Sequence, residues 1–264
     1  MDEVPIEKRP KYGLNIYGAI AVNPYKLTIL CEEIGIRYHY IIVDHSNGEQ
    51  KSPWFTKINP NGRLPAIVHV KDDGSSVSLW ESAACLMYIA SEFDQEHHVS
   101  YPTGSEEYWQ MIAWLSWQIS GQGPMMGQAC HFLRYATESV PYGLKRYTAE
   151  CRRLYHVLDV HLSSSPFVAG SRLTIADISI YIWALSAKWC GVDIEEFPAA
   201  KAWLDALSQR PSFQRGLNVP APYPFTDLKV SNPKRAAFYR LVEKKGTKSV
   251  QKDTDKWAKN AGML

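Results

Sequence analysis

The chain has 264 residues, 45% of them hydrophobic and 21% charged, which is typical of a globular protein long enough for two modest domains. A net charge of only +2 gives no electrostatic reason to expect nucleic acid as a partner of the whole chain. The longest apolar run, near 178–187, is too short to span a membrane. The N-terminal segment MDEVPIEKRP also lacks the apolar stretch of a secretory signal, so a cytoplasmic protein with no membrane association is expected.

Strand and helix patterns alternate as far as residue 94. Apolar and β-branched runs predict strands at 14–17, 38–43, 64–68 and 77–79. Helical periodicity predicts a helix that begins after Asn23 and ends at Gly35, a short helix over 53–58 and a longer one over 81–93. The order β-α-β-α-β-β-α predicts a mixed four-stranded sheet. We therefore expect an α/β, thioredoxin-like domain over 12–94.

Strand patterns largely stop after this point, and an all-α domain is expected over 105–218. The expected helices lie at 106–119, 128–139, 142–163, 174–188 and 198–208, with a loop rich in Gly and Met over 121–127. Thr174 and Asp177 have the spacing of a capping box, so Asp177 is assigned to folding. Most aromatic residues of this half have helical spacing and are expected in the core; they are Trp109, Trp114, Trp117, Phe132, Tyr135, Trp183 and Trp189.

A basic C-terminal extension is expected over 219–264. From Lys229 onward, ten Lys or Arg stand against three acids. Three interpretations stay open: a helix that covers the domain through Phe238, Leu241 and Val242, a solvated, disordered segment, and, least favoured, a nucleic-acid-binding segment. The five cysteines form no CxxC pair, so buried reduced thiols are expected, and no residue cluster has metal-ligand spacing.

Glu81 and Ser82 stand where a predicted strand gives way to a helix. Unpaired amides and the dipole of a helix N-terminus favour an anion. Ser82 can therefore hydrogen-bond a ligand carboxylate while Glu81 accepts an ammonium, which suits an α-amino-acid head group. Simple capping of the helix is the alternative.

The segment Arg63-Leu64-Pro65 enters the third strand through a proline. A proline at this place favours a cis peptide, and Leu64 then exposes its amide and carbonyl to an extended peptide ligand. An ordinary trans proline at a sheet edge is the alternative.

Together, these two features resemble the glutathione site of the glutathione transferases. The resemblance covers about 14–216 and extends to the nu-class bacterial transferases and the fungal transferases related to the nitrogen-catabolite regulator. The segments that carry it are NPNGRLPAIV, LWESAACLMYIA, WLSWQISGQGPMMGQACHF, KRYTAECRRLYHVLDVHL and RLTIADISIYIWAL. SGQGPMMGQ is the most specific, because it marks this subgroup. The fold implied is a thioredoxin-like domain followed by an all-α glutathione-transferase domain, assembled as a homodimer.

The resemblance also implies site residues. Asn23 matches the asparagine near the glutathione sulfur and is the expected catalytic residue. Gln50 matches a contact of the glycyl end, and Leu64, flanked by Arg63 and Pro65, matches the residue that pairs with the cysteinyl backbone.

Glu81 and Ser82 match the γ-glutamyl binders. Arg146 matches an arginine expected near a glutathione carboxylate, within the subunit or across the dimer. The sequence departs from the bacterial pattern at Ala21, where those proteins have threonine, and at Pro24, where glycine is usual.

The expected function is that of a glutathione transferase, which stabilises the glutathione thiolate for attack on a small hydrophobic or electrophilic substrate. A glutathione-dependent disulfide reductase or peroxidase and a non-catalytic glutathione-binding regulator are the alternatives. Met125 and His131 can line the second-substrate pocket, and His131 can act as a general base, although a structural histidine is the simpler interpretation.

Overall fold

The computed structural model of the protein describes residues 4–226, 239–248 and 250–252. Of the extension predicted for 219–264, residues 227–238, 249 and 253–264 lie outside the described residues, and Phe238 and the Lys-rich end are among them. Within the described part, no helix is both long and apolar enough to cross a membrane.

The N-terminal half contains one four-stranded sheet with the order β2-β1-β3-β4. Its strands are β1 (Gly13–Gly18), β2 (Tyr38–Ile42), β3 (Ala66–Val70) and β4 (Ser76–Trp80). β1 and β2 are parallel, whereas β3 is antiparallel to both β1 and β4. The helices are α1 (Pro24–Ile34), α2 (Pro53–Thr56) and α3 (Ser82–Phe93). The predicted thioredoxin-like domain with a mixed sheet is confirmed.

Local sequence explains how α1 is bounded. Pro24 occupies the first helical turn, where its missing N–H removes no hydrogen bond. Gly35 ends the helix in the left-handed conformation at φ 71°, and its amide bonds the carbonyl of Cys31. The inner residues of α1 are fully buried against the sheet and the helical half, among them Leu27, Ile29 and Leu30. This packing holds the start of α1, where the predicted site lies, at the boundary between the two halves.

The second half is helical, as expected. Its helices are α4 (Glu106–Trp117), α5 (Gly123–Cys130), α6 (Pro141–Leu162), α7 (Ile175–Leu185), α8 (Pro198–Ser208) and α9 (Pro211–Gly216). Single π-helical turns, Gln118–Gln122 and His131–Tyr135, flank α5. Helices α9, α3 and α7 all pack against α1, so one apolar core extends through both halves of the chain.

The loop predicted over 121–127 is wrong, because this segment is helical from Gln118 to Cys130. Its glycines permit close approach rather than a turn. A Cβ on Gly123 would lie 2.8 Å from Nε2 of Gln118 and 3.4 Å from Nε1 of Trp183. The helix predicted over 128–139 is shorter than expected, since α5 ends at Cys130 and the π-helical turn follows.

The capping box of α7 is confirmed. Asp177 accepts hydrogen bonds from the amide and hydroxyl of Thr174, both at 2.9 Å, and from the amide of Val168 at 3.0 Å. Nε1 of Trp203 donates a fourth bond at 3.2 Å. Burial still raises the pKa of Asp177 to about 6. These bonds leave Asp177 with a structural role.

Most of the aromatic residues assigned to the core are buried or packed against it, but Trp109 is an exception. It is 59% exposed on the outer face of α4. All five cysteines are buried and none forms a disulfide, as expected.

Residues 239–248 and 250–252 are helical and partly cover the all-α half. Tyr239 is buried, its ring lies 5.1 Å from that of Trp189, and its hydroxyl donates to the carbonyl of Pro224 at 2.6 Å. Arg134 forms an ion pair with Glu243 at 2.6 Å. Among the described residues of the extension, Val242 packs against the core as the covering helix predicts, whereas Leu241 is 49% exposed and does not.

Candidate functional site

Asn23 lies at the start of α1, at the boundary between the sheet and the helical half. Its side chain does not cap the helix, and its backbone is already helical at φ −67° and ψ −33°. Instead, Oδ1 of Asn23 accepts a hydrogen bond of 3.0 Å from Nε1 of Trp183 in α7. The helix thus begins after Asn23 as predicted, but the Asn23 side chain does not cap it.

The bond from Trp183 settles which end of the Asn23 amide is available. An indole N–H only donates, so the atom that faces it must be the carbonyl oxygen. Nδ2 of Asn23, which carries two N–H donors, is then directed elsewhere. Asn23 therefore presents the N–H donors of Nδ2 near the N-terminus of α1, where the helix dipole also favours negative charge. This arrangement can stabilise an anion such as a thiolate.

Glu81 and Ser82 lie side by side at the end of β4 and the start of α3. Glu81 has φ 68°, which is uncommon for a residue with a Cβ and frequent at functional sites. Its side chain is exposed, with Nδ2 of Asn61 at 3.4 Å from Oε1. Ser82 is the first residue of α3 and is only 6% exposed. An exposed carboxylate thus stands next to a sheltered hydroxyl at a helix N-terminus.

The Leu64–Pro65 peptide is cis, as predicted. Leu64 is half-buried and lies outside the paired register of the sheet, whose β3 begins at Ala66. Arg63 is exposed, and its carbonyl accepts a bond of 2.6 Å from Nδ2 of the buried Asn59. Leu64 therefore has a fixed main chain that is not part of the sheet ladder.

Gln50 lies in the helical turn Glu49–Lys51 before α2, and it is 9% exposed. Its Oε1 is buried and has no hydrogen-bond partner among the described residues. A buried polar atom without a partner costs free energy, which a ligand donor offsets. This orphaned oxygen fits the expected contact with a peptide ligand.

Lys26 was missed in the sequence analysis, yet it is part of the same region. Its side chain is only 1% exposed; Nζ lies 2.6 Å from Oε1 of Gln118 and 3.2 Å from Oγ of Ser82. Oγ of Ser179 donates to the same Gln118 oxygen at 2.6 Å. Burial lowers the pKa of Lys26 to about 7, while the negative charge of Glu81 acts in the opposite direction. A lysine within a helical pattern is ordinarily solvated, so the sequence held no signal for this network.

Arg146 lies on the exposed face of α6. With Met125, Tyr142 and Arg153 it lines an open groove of about 700 Å³. The lining of this groove includes neither Asn23 nor Ser82. The structure thus brings Arg146 beside Met125, one of the residues expected near the second substrate.

His131 lies in the second π-helical turn, edge-to-face against Phe132 with 5.2 Å between ring centroids. No group of three or more His, Cys, Asp or Glu among the described residues is arranged to hold a metal ion.

Two family models match the chain. The N-terminal domain of glutathione S-transferase matches residues 23–92, and the C-terminal domain of glutathione S-transferase matches residues 144–211. The two matches fall on the two halves of the fold, and the first contains Asn23, Gln50, Leu64 and Ser82.

Individual relatives agree with these matches. The disulfide-bond oxidoreductase YfcG of Escherichia coli is 37% identical over 77% of this chain and 94% of its own length. A glutathione transferase homologue from Lodderomyces elongisporus, solved with two glutathione molecules per subunit, is 36% identical with a TM-score of 0.76, covering 80% of this chain and 100% of its own. The glutathione transferase URE2P6 from Phanerochaete chrysosporium, solved with oxidised glutathione, is 37% identical with a TM-score of 0.73, covering 78% of this chain and 94% of its own.

Proposed function

This chain belongs to the glutathione S-transferase family, and on that premise we propose that it binds glutathione and activates its thiol for attack on a small electrophilic or hydrophobic substrate. Within the family, the fungal relatives and the SGQGPMMGQ segment support membership of the subgroup of nu-class and nitrogen-regulator-like transferases. We also propose a cytoplasmic homodimer, for which the family likeness is the support.

The observation that carries the proposal is the hydrogen bond from Trp183 to Oδ1 of Asn23. It leaves the Asn23 Nδ2 donors for the glutathione sulfur, next to the N-terminus of α1. A hydrogen bond to the charged form and a positive partial charge both lower the pKa of a thiol. The thiolate then forms a bond to the electrophilic carbon, and the leaving group departs with its electron pair.

The rest of the proposed site holds the peptide. Ser82 donates to the γ-glutamyl carboxylate and Glu81 accepts from the γ-glutamyl ammonium. The main chain of Leu64, beside Arg63 and the cis Pro65, pairs with the cysteinyl residue as a short β-type contact. The orphaned oxygen of Gln50 accepts a donor near the glycyl end.

Arg146 is proposed to contact a glutathione carboxylate from the partner subunit of the dimer. Arg146 is exposed and lines a groove whose lining includes neither Asn23 nor Ser82, which supports a role across an interface better than one within the subunit.

The direct test combines glutathione titration calorimetry with an aryl halide conjugation assay, on the wild type and on Asn23→Ala. We expect binding and turnover in the wild type. The variant should retain binding but lose about tenfold or more in kcat/KM, because a bond to a charged group is worth about 1.5–3 kcal/mol. A wild type that neither binds glutathione nor turns over would overturn the proposal. An unchanged thiol pKa and rate in Asn23→Ala would remove Asn23 from the mechanism.

A disulfide reductase activity is the second candidate, and the likeness to YfcG favours it. All five cysteines are buried, so glutathione rather than the chain would supply the attacking sulfur. The glutathione thiolate displaces one thiolate from a mixed disulfide with glutathione, so that glutathione disulfide forms and the other thiol is released. Assays with 2-hydroxyethyl disulfide and with a hydroperoxide, beside the aryl halide, rank the three activities.

A further inference from the structure

Lys26 is unusual because a lysine ammonium is buried with only neutral hydrogen-bond partners. Its Nζ contacts Oε1 of Gln118 and Oγ of Ser82, and its exposed fraction is 1%. Moving a charge out of water is costly unless an opposite charge compensates it. The negative group that acts on it is Glu81, whose own side chain is exposed. The buried cation is therefore incompletely neutralised in the free protein.

The contact between Lys26 and Ser82 also determines which of the two groups donates the hydrogen bond. An ammonium only donates hydrogen bonds, so Oγ of Ser82 must accept in this pair. The hydroxyl hydrogen of Ser82 is then free to point away from Lys26, toward the N-terminal end of α3. A positive charge thus lies 3.2 Å from the hydroxyl that is proposed to donate to the ligand carboxylate.

We propose that Lys26 is a positioning residue for the γ-glutamyl carboxylate of glutathione, acting through Ser82 and supplying the buried positive charge that the carboxylate neutralises. This inference rests on the proposed function and adds a residue and a charge balance to it. Glu81 neutralises the ligand ammonium, so that the two charges of the head group meet two opposite charges of the protein.

The side chains on the elements packed around Lys26 are either neutral or already bonded to other groups. Ser82 on α3, Ser179 on α7 and Gln118 are neutral. On α9, Arg210 is paired with Glu33 and Arg215 with Glu32, near the opposite end of α1. At α7 itself, the one acid of the first turn is Asp177, which is bonded to Thr174, Val168 and Trp203.

Because the pKa of Lys26 is lowered to about 7, the free protein holds this side chain partly as the neutral amine near neutral pH. A carboxylate bound at Ser82 favours the ammonium. Binding of S-methylglutathione, whose sulfur cannot release a proton, should therefore take up protons at slightly alkaline pH, which calorimetry in buffers of different ionisation enthalpy measures directly. The wild type alone suffices for this measurement, and the absence of proton uptake would overturn the inference.

The second measurement uses a matched ligand, γ-aminobutyryl-cysteinylglycine, which keeps the amine of glutathione and lacks only its γ-glutamyl carboxylate. Lys26→Met should weaken glutathione binding by about tenfold or more, since a bond to a charged group is lost, and should leave the analogue almost unaffected. Lys188→Met, at an exposed lysine, is the control and should change neither affinity.

The outcomes separate three cases. Wild type that binds no glutathione contradicts the proposed function itself. Wild type that binds glutathione, with a Lys26→Met variant that loses both ligands equally, assigns Lys26 to the fold and contradicts the inference alone. If Lys26→Met does not fold, as circular dichroism would show, proton uptake by the wild type on binding S-methylglutathione decides the matter.

Discussion

The indole of Trp183 donates a 3.0 Å hydrogen bond to the side-chain oxygen of Asn23, although the two residues are 160 positions apart. One belongs to the helical half and the other to the thioredoxin-like half. The bond fixes the amide of Asn23 with its donors directed away from α7. The residue proposed to contact the sulfur is thus oriented by the domain that does not contain it.

Replacing Trp183 by phenylalanine tests this orientation. The change keeps a large apolar ring and removes the N–H donor, so the Asn23 amide is free to rotate. We expect the pKa of the bound glutathione thiol to rise by up to about one unit, since one hydrogen bond contributes about 0.5–1.5 kcal/mol. Ultraviolet absorbance of the thiolate as a function of pH measures it. Trp109→Phe, at an exposed tryptophan, is the control, and equal shifts in the two variants would contradict the role of the bond.

Gly123 and Gly121 offer a matched pair of substitutions in one helical segment. A Cβ at Gly123 meets Nε2 and the carbonyl oxygen of Gln118 at 2.8 and 3.3 Å, whereas the nearest atom to a Cβ at Gly121 is Cδ2 of Leu154 at 3.5 Å. We expect Gly123→Ala to lower the free energy of unfolding by about 1–3 kcal/mol through overpacking.

Gly121→Ala should be neutral or more stable by up to about 1 kcal/mol, because alanine favours a helix over glycine. Urea unfolding of both variants gives the comparison, and glutathione affinity should fall only in Gly123→Ala, where Gln118 is displaced from Lys26. Equal stability of the two variants would show that the segment tolerates a methyl group at either place.

The pH dependence of stability should report on Lys26. Its folded pKa of about 7 lies below the ordinary lysine value of 10.5, so the folded state binds fewer protons than the unfolded state between these values. The contribution of Lys26 to the free energy of unfolding therefore rises with pH across this window and is least favourable below pH 7. The stability of Lys26→Met relative to the wild type should be greatest near neutral pH and should decrease by a few kcal/mol toward pH 10. A difference that does not vary with pH would mean that Lys26 titrates normally.

Tyr239 and Leu241 test whether the C-terminal helical residues cover the domain. Tyr239 is buried against Trp189 and Phe225, whereas Leu241 is 49% exposed. Tyr239→Ala should weaken docking of this helix by about 2–3 kcal/mol, because a large buried side chain is lost. Leu241→Ala should stay within about 0.5 kcal/mol of the wild type. Hydrogen exchange of the amides at 239–248 measures the effect, and unchanged protection in Tyr239→Ala would contradict the packing.

The order of the elements could be predicted from the sequence because it depends on local patterns. The apolar and β-branched runs of the strands and the capping box of Thr174 and Asp177 act over a few residues, and both were confirmed. The glycines at 121, 123 and 127 led to the wrong prediction of a loop. In the sequence, a helical glycine that makes room for a neighbouring side chain cannot be distinguished from a glycine that forms a turn. Only the packing of Gln118 and Trp183 distinguishes the two.

Only part of the candidate site could be predicted from the sequence, for a similar reason. The positions of Asn23, Gln50, Leu64, Glu81 and Ser82 were named, and their roles stay predictions. The sequence did not identify Trp183 or Lys26 as part of the site. Trp183 contacts Asn23, which is 160 positions away, and Lys26 contacts Gln118, which is 92 positions away. Periodicity indicates which face of a helix is buried, and it does not indicate which distant polar atom a side chain meets there.

Helix α5, which contributes Met125 to the groove beside Arg146, approaches the indole of Trp183 closely. A Cβ added at Gly127 of the same helix would lie 3.9 Å from the outer edge of the Trp183 ring. An occupant of the groove that displaces α5 by a fraction of an ångström would therefore move the indole that orients Asn23. Such an occupant would change the acidity of the thiol, and by thermodynamic reciprocity ionisation of the thiol would change the affinity of the groove by the same factor.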